Sequence, residues 1–579
     1  MPNMQVASGP ARMARPGWFS NPIGLLATAL LIGVGFLVLY PVFLLIERVI
    51  ANPGEDGLGI DASIWGTLLN TFLIVGGSSI LALAFGSLLA IINERTDGSI
   101  RGLGTFMPVA PLMLPSITGV LGWVVLFDPR VGMVNVILRD VFGFAAGSGE
   151  GPINVYSWGG MLLAYTVHLV PAIYLIIAAA LRSLDPSVEE ASRIFGAGPI
   201  RTWWRVTLPA IRPALFEAWL LSVINAIAMF AVPVILGTGA GVEVISVSIW
   251  TYLTQYPPNQ QAAIVLAGGM LAVVLLLRGI QWRLVPSGRQ AVIGGRGVRG
   301  TMASLGALRH VARAIVIGYI LISLVLPLIG LFIVSLEPFW TANVPWERLS
   351  FSNYTRILTQ NPTTIRALVN SLILAAMGAT IFMAVAAFLR LYARQSTGQT
   401  GKGLFSRSFD GIVDFVTSMP ATLPHSMVGV AFILAFSRWP LDLYGTIWIL
   451  LLAHAVMELP YASASAKSAA SFIGRELAES SRIFRASEGT TMWRILVPLA
   501  LPGLAAGWVL VFIKILGEVT ASAILAGTSN PVVGSVLLDL WLQGNFPMMT
   551  AFALIIWVIT SVLVILVLWL NNRNLARAR

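Results

Sequence analysis

The sequence predicts an all-α membrane protein with about 12 transmembrane helices, arranged as two parallel six-helix repeats. Composition, the pattern of apolar stretches and an internal duplication all lead to this fold class. Hydrophobic residues make up 57% of the chain and charged residues only 11%, with a mean hydropathy of +0.84. So few polar side chains could not cover a soluble core built from 579 residues. The chain is therefore expected in a bilayer.

Apolar stretches of near-membrane length recur along the whole chain. A helix needs roughly 20 apolar residues to cross a hydrocarbon core about 30 Å thick. The stretches lack the ten-residue alternation of barrel strands, and lipid forces every backbone group to pair internally, so helices are favoured. The twelve predicted spans are Ile23–Ile46, Thr67–Ile92, Phe106–Phe127, Trp158–Leu181, Ala214–Leu236, Ala262–Leu277, Ala314–Leu336, Leu368–Leu389, Ile412–Phe436, Tyr444–Ala466, Gly503–Ile524 and Met548–Leu570.

The duplication is clearest between two polar loops. The segment from Glu190 to Pro213 returns, shifted by 289 positions, as the segment from Glu479 to Pro502, with eleven identities in 24 positions. Chance similarity from composition rarely gives so many matches at one offset. The repeats are predicted at residues 1–282 and 314–579, with the duplicated polar loops at 186–213 and 475–502. Residues 283–313, rich in glycine and arginine, are predicted to form a flexible cytoplasmic linker.

Charge distribution predicts the orientation. Of 36 Lys and Arg, the predicted topology places 28 on one side, seven on the other and Lys514 inside a helix. This bias predicts that both termini lie in the cytoplasm. Six spans per repeat would place both loops on the cytoplasmic side, which disfavours a secondary transporter with inverted repeats. The net charge of +11 follows from topology and anionic lipid, so nucleic acid is not expected as a partner.

The first loop carries a recognisable motif. Glu190 and Ala191 are followed by Gly196, and then by Leu208 and Pro209. This spacing resembles the EAA loop of the inner-membrane permeases of binding-protein-dependent ABC importers. In that family the loop forms a coupling helix that docks in a groove of the ATPase subunit.

The second loop is a degenerate copy of the motif. Glu479 and Pro498 match, whereas serines replace both alanines and Arg485 replaces the glycine. The resemblance alone leaves open whether this loop turns and docks like the first.

The resemblance covers almost the whole chain, and its fused, two-repeat form is similar to ferric-iron permeases. It implies the type I ABC importer permease fold, two copies of an ABC ATPase subunit, and a periplasmic or lipid-anchored substrate-binding protein. The implied cargo is ferric iron, with a polyamine, thiamine or a phosphonate as alternatives. An ion-gradient-driven transporter and a membrane scaffold without transport activity are the rival classes.

No catalytic residue, cofactor or metal site is expected in the chain itself. A phosphate-binding P-loop requires G-x-x-x-x-G-K-[ST], and the nearest candidate, Gly401 and Lys402, is followed by Gly403. The chain has no cysteine, which excludes disulfides and thiolate metal sites. ATP and Mg²⁺ are therefore expected in partner subunits.

Polar groups inside predicted spans are the candidates for the translocation pathway, because an unpaired charge in the membrane usually faces a cavity or a partner. Asn225 and Lys514 occupy equivalent positions in the fifth spans, which line the path in the family that the chain resembles. Lys514 and Glu518, four residues apart, have an alternative role in neutralising each other. His168 and His454 are expected to bond between helices rather than to bind metal. The candidates are Asn225, Glu217, His454, Glu458, Lys514 and Glu518.

Overall fold

A computed structural model describes residues 22–51, 63–100, 107–144, 150–284, 303–396, 403–438, 441–471, 473–484 and 486–577. Within these ranges the chain is helical, and β-structure is limited to one isolated bridge. The all-α prediction is confirmed. The helices are α1 (Pro22–Ala51), α2 (Ser63–Arg95), α3 (Ser116–Phe127), α4 (Met133–Phe142), α5 (Trp158–Ser183), α6 (Pro186–Ile194), α7 (Pro199–Thr202), α8 (Leu208–Ala228), α9 (Thr238–Ala240), α10 (Ile245–Thr254), α11 (Gln260–Leu284), α12 (Leu308–Ile320), α13 (Leu326–Leu336), α14 (Ser352–Thr355), α15 (Pro362–Ser396), α16 (Gly403–Ser418), α17 (His425–Phe436), α18 (Ile447–Ser471), α19 (Arg475–Ile483), α20 (Glu488–Thr491), α21 (Val497–Leu516), α22 (Thr520–Leu525), α23 (Val533–Leu542) and α24 (Phe546–Arg577).

Ten helical spans in the described residues are long and apolar enough to cross a membrane, or twelve if two bent pairs each count as one span. The third predicted span of each repeat is not a continuous helix. The stretch predicted at Phe106–Phe127 forms an α-helix only over α3, which follows Pro115. In the second repeat the axis turns by 100° between residues 409–421 and α17. Proline explains both breaks, because it lacks an amide donor and disfavours helical backbone in the residue before it.

The fifth predicted spans, Ala214–Leu236 and Gly503–Ile524, extend past the C-terminal ends of the helices that form there. Helix α8 ends at Ala228, where Met229 becomes extended, and α21 ends at Leu516 before Gly517. Each is followed by shorter helices instead of a straight continuation. Between residues 233–240 and α10 the axis bends by 86°. The short apolar helices α10 and α23 are absent from the sequence-based prediction.

The two repeats exchange their first helices. Helix α1 packs against α17 of the second repeat, and α13 packs against α3 of the first. Gly122 permits the second contact, because a Cβ at this position would lie 2.4 Å from Pro327 Cβ. The start of α1 also reaches the second loop, where a Cβ at Gly489 would lie 3.2 Å from Ile23 Cδ1. Each half is thus held by the other.

The end of the predicted linker is structured. Ala303 forms a parallel bridge with Thr96, and the Leu305 amide donates to Asp97 Oδ1 at 2.9 Å. Arg313 donates to the Asp97 carbonyl at 3.3 Å, from within α12. The prediction of flexibility is therefore wrong for residues 303–313, while residues 285–302 lie outside the described ranges. Backbone pairing to the end of α2 orders this segment.

Candidate functional site: twin loops and a polar cluster between the spans

The two loops have the same secondary structure at the same offset. Helix α6 and helix α19 are both nine residues long, and α7 and α20 are both four. A π-helical turn follows in each, at Trp203–Thr207 and Met492–Leu496. A shift of 289 carries every one of these boundaries from the first loop onto the second. The duplication seen in the sequence is therefore a duplication of structure.

The turn after each loop helix is closed by the same hydrogen bonds. The Phe195 amide donates to the Ala191 carbonyl at 3.1 Å, and the corresponding Phe484 amide donates to Ser480 at 3.2 Å. Gly196 takes the left-handed conformation, with φ of +76°, which favours glycine. Its counterpart Arg485 lies outside the described residues. The described bonds around position 485 match those of the first loop.

A hydroxyl pair connects each loop helix to the helix that follows. Ser192 Oγ lies 3.0 Å from Thr202 Oγ1, and Ser481 Oγ lies 2.6 Å from Thr491 Oγ1. These serines occupy the position of the second alanine in the motif. In the motif they are departures from the pattern, since each replaces an alanine. The serine and threonine identities at one offset were the signal that could have revealed the pair.

The outward face of each loop is apolar at its tip and acidic beside it. Ile194 and Phe195 are 84% and 89% exposed, and Ile483 and Phe484 are 80% and 85% exposed. The predicted coupling residues Glu190, Ala191 and Glu479 are exposed as well. Two adjacent large apolar side chains with so little cover are typical of a surface that binds a partner.

Three further predicted coupling residues lie in the first turn of the helix that follows each loop. Leu208 opens α8 with Pro209 in its first turn, and Pro498 has the same place in α21. Proline lacks an amide donor, so it fits the first helical turn and accounts for the widened π turn directly before it. Pro213 and Pro502 lie inside these helices, which therefore begin before the predicted starts of the fifth spans at Ala214 and Gly503.

A buried ion pair, which sequence reasoning missed, anchors the first loop. The Glu189 carboxylate lies 3.5 Å from the Arg95 guanidinium and accepts a hydrogen bond from Thr207 at 2.8 Å. Arg95 also donates to the Leu181 carbonyl at 2.6 Å. Glu189 is 5% exposed, whereas its neighbour Glu190 faces outward. Arg95, at the end of α2, thus connects the buried side of α6 to the end of α5.

The second loop is anchored through backbone atoms instead. Arg394 donates to the Ile473 carbonyl at 2.6 Å, and Gln395 donates to the Glu488 carbonyl at 3.3 Å. Position 478, equivalent to Glu189, is alanine. The second loop therefore lacks the carboxylate of the first, although its described backbone follows the same path.

Within the second repeat, polar side chains gather around the break between α21 and α22. Glu518 caps α22 by accepting from the Ala521 and Ser522 amides at 2.8 and 3.0 Å. His425 Nδ1 and His454 Nε2 lie 3.7 and 3.9 Å from its carboxylate. The ends of three helices therefore meet at one acidic side chain.

Lys514 does not neutralise Glu518, so that alternative is wrong. Helix α21 ends between these residues, and Lys514 instead places Nζ 4.4 Å from the centroid of the Tyr461 ring. Glu458, on the same helix as Tyr461, interacts electrostatically with Lys514. Of the other predicted pathway residues, His454 belongs to the Glu518 cluster and donates from Nδ1 to the Leu450 carbonyl at 2.6 Å.

The pathway candidates of the first repeat lie apart from one another. Asn225 is exposed on α8, although most of its neighbours along the helix are buried. Glu217 is half-buried and interacts with Arg278 of α11. Among the described residues, no group of three or more His, Asp or Glu side chains is arranged to hold a metal ion.

The sequence matches the family described as "Binding-protein-dependent transport system inner membrane component", over residues 82–289 and 401–578. The chain belongs to this family. It is therefore a multi-pass inner-membrane protein and the transport subunit of a binding-protein-dependent system. The match in two segments agrees with the two repeats.

Several curated relatives are similar over much of the chain. The "Ferric transport system permease protein FbpB" of Actinobacillus pleuropneumoniae is 24% identical over 503 residues, which cover 86% of this chain and 70% of that protein. The "Putative ferric transport system permease protein FbpB 1" of Haemophilus influenzae is 25% identical, with coverages of 80% and 71%. The "Spermidine/putrescine transport system permease protein PotC" of the same species is 28% identical over 40% of this chain and 84% of that protein.

Proposed function

We propose that this permease forms the translocation path of an ATP-driven importer and docks two copies of one ABC ATPase, one on each loop. The observation that carries the proposal is the repeated Ile-Phe tip, exposed to nearly the same extent in both loops. Two similar tips, on loops with the same secondary structure, fit the identical grooves that two copies of one ATPase would offer. ATP binding and hydrolysis in the partners would move the loops, and α8 and α21 would follow because each begins where its loop ends.

Ferric iron delivered by a periplasmic or lipid-anchored binding protein is the proposed cargo. Two ferric permeases match over at least 80% of the chain, which supports this choice. A polyamine is the second candidate, because the polyamine permease of Haemophilus influenzae matches 40% of the chain. Both loops and both termini are proposed to face the cytoplasm, in line with the arginine distribution.

The docking test uses two serine substitutions at the tips. In membranes with the cognate ATPase, Phe195→Ser and Phe484→Ser should each weaken ATPase binding, by about 2 kcal/mol or roughly thirtyfold, because buried aromatic anchors dominate such interfaces. Phe351→Ser is the matched control, since Phe351 is 64% exposed but lies outside the loops. Copurified ATPase is the measurement, with permease abundance measured in parallel.

Undiminished ATPase recovery with both tip variants combined would refute the docking role. Orientation can be tested independently, because the natural chain has no cysteine. Ala191→Cys should react with an impermeant maleimide only in inverted vesicles. Uptake of radiolabelled iron should then require ATP, the ATPase and the binding protein; uptake by the chain alone, abolished by a protonophore, would indicate a secondary transporter.

A further inference from the structure

Lys514 is one of three lysines in the chain, beside 33 arginines. It lies near the end of α21, between the buried residues Phe512 and Ile515, yet its own side chain is exposed. A charged residue inside a span rarely faces lipid, since the cost is several kcal/mol. The residues around Lys514 therefore show whether it faces lipid or the translocation path.

The surroundings of Lys514 place it between the two repeats. Tyr461, whose ring it covers, belongs to α18 of the second repeat. His168, with which its ammonium interacts, belongs to α5 of the first. Asn225 is exposed at the equivalent position of α8. These observations place Lys514 on the proposed path and not on the lipid-facing surface.

The nearby carboxylates do not share this exposure. Glu458 is 1% exposed, and its Oε2 has no hydrogen-bond partner. Glu518 is 6% exposed and is occupied by the cap of α22 and by the two imidazoles. The side chains facing the path here thus include a cation, an amide and partly exposed rings such as that of His425. The exposed acids Glu243 and Asp539 lie beyond the ends of α8 and α21.

We infer that Lys514 contacts the cargo and that the group it binds is an oxyanion, so that a ferric cargo crosses as an anionic oxygen chelate and not as the bare ion. The inference rests on the proposed function. A bare trivalent cation would be repelled by Lys514 and would find its nearest carboxylates buried. Carboxylate or phosphate oxygens of a chelate would instead accept charge-assisted hydrogen bonds from the ammonium group.

The first test measures uptake into proteoliposomes that contain the permease, its ATPase and its binding protein. The probes are ferric citrate, methylphosphonate, spermidine and thiamine, all radiolabelled. Lys514→Gln should lower uptake of the anionic cargo by about tenfold or more, the equivalent of losing one charged hydrogen bond. Lys514→Arg should retain most of the rate, because it keeps the charge. Lys467→Gln is the matched control, since Lys467 pairs with Asp414 outside the cluster.

The outcomes separate this inference from the proposed function. Uptake of methylphosphonate without iron would refute the ferric cargo and support the oxyanion contact. Uptake of spermidine or thiamine, which are cations, would refute the oxyanion contact and leave the importer role intact. Equal uptake of ferric citrate by wild type and Lys514→Gln would refute the contact alone.

A labelling experiment decides the point if none of the four solutes is transported, a result that would itself contradict the proposed cargoes. Because the chain has only three lysines, Lys402→Arg and Lys467→Arg leave a single side-chain amine. Trinitrobenzenesulfonate, an anionic amine reagent, should modify Lys514 in the purified complex, and ferric citrate should slow the reaction. Mass spectrometry of the 514 peptide is the readout. Absence of labelling, or labelling that ferric citrate does not slow, would overturn the inference.

Discussion

At the scale of single residues, Glu337 combines deep burial with a position just beyond a span. It follows α13, and its residue surface is fully buried. Burial raises the pKa of its carboxyl from an ordinary 4.5 to about 7, although a hydrogen bond donated by the Thr341 amide to Glu337 Oε2 at 3.4 Å acts in the opposite direction. Asn353 fixes the adjoining backbone by donating to the Glu337 carbonyl at 2.8 Å. The neutral acid is therefore the favoured form below about pH 7.

This burial predicts a pH-dependent stability. Between pH 4.5 and about 7 the folded state holds the Glu337 proton and the unfolded state has released it, so stability should fall as pH rises through this window and level off above it. The unfolding midpoint of the purified chain, measured from pH 5 to 8, should show this fall. Glu337→Gln should flatten this part of the profile, whereas Glu347→Gln, at an exposed position, should not. Identical profiles for wild type and Glu337→Gln would contradict this assignment.

At the scale of elements, the first loop contains two adjacent glutamates with opposite environments. Glu189 is buried against Arg95 and Thr207, and Glu190 is exposed on the same helix. Glu189→Ala should cost about 3–5 kcal/mol of stability, because it leaves the Arg95 charge buried without its partner. Glu190→Ala should change stability by less than about 0.5 kcal/mol. Urea unfolding in detergent compares them, and equal costs would show that the Arg95 pair does not hold α6.

These elements also show how far sequence reasoning reached. The duplication in the sequence is matched by the same secondary structure in both loops, because the backbone path follows identities at a fixed offset. Burial of Glu189 depends on Arg95, almost one hundred positions away, and no local pattern marks it. The broken third spans were missed because hydropathy averages across Pro115 and Pro424. The alternative in which Lys514 and Glu518 neutralise each other failed because a four-residue spacing implies contact only while the helix continues.

At the scale of the whole molecule, the exchanged first helices make the two repeats interdependent. Helix α1 packs against α17, and α13 packs against α3. Each repeat alone would therefore leave its own first helix, and the surface that receives the other repeat's first helix, uncovered. The covalent connection runs through residues 285–302, outside the described ranges, and the described part from Ala303 onward is bound to the first repeat. Packing between the halves, rather than the connection, is therefore expected to hold the pair together.

Cutting the chain between Gly294 and Gly295 tests this expectation. The two fragments, expressed together, should copurify and support ATP-dependent uptake, because the helix exchange buries the same surfaces with or without the peptide bond. A first fragment that begins after α1 should recover much less of the second, since α17 then loses its cover. Affinity purification through a tag on one fragment measures the association. If the intact fragments fail to associate although both insert into the membrane, the connection and not the exchanged helices holds the halves together.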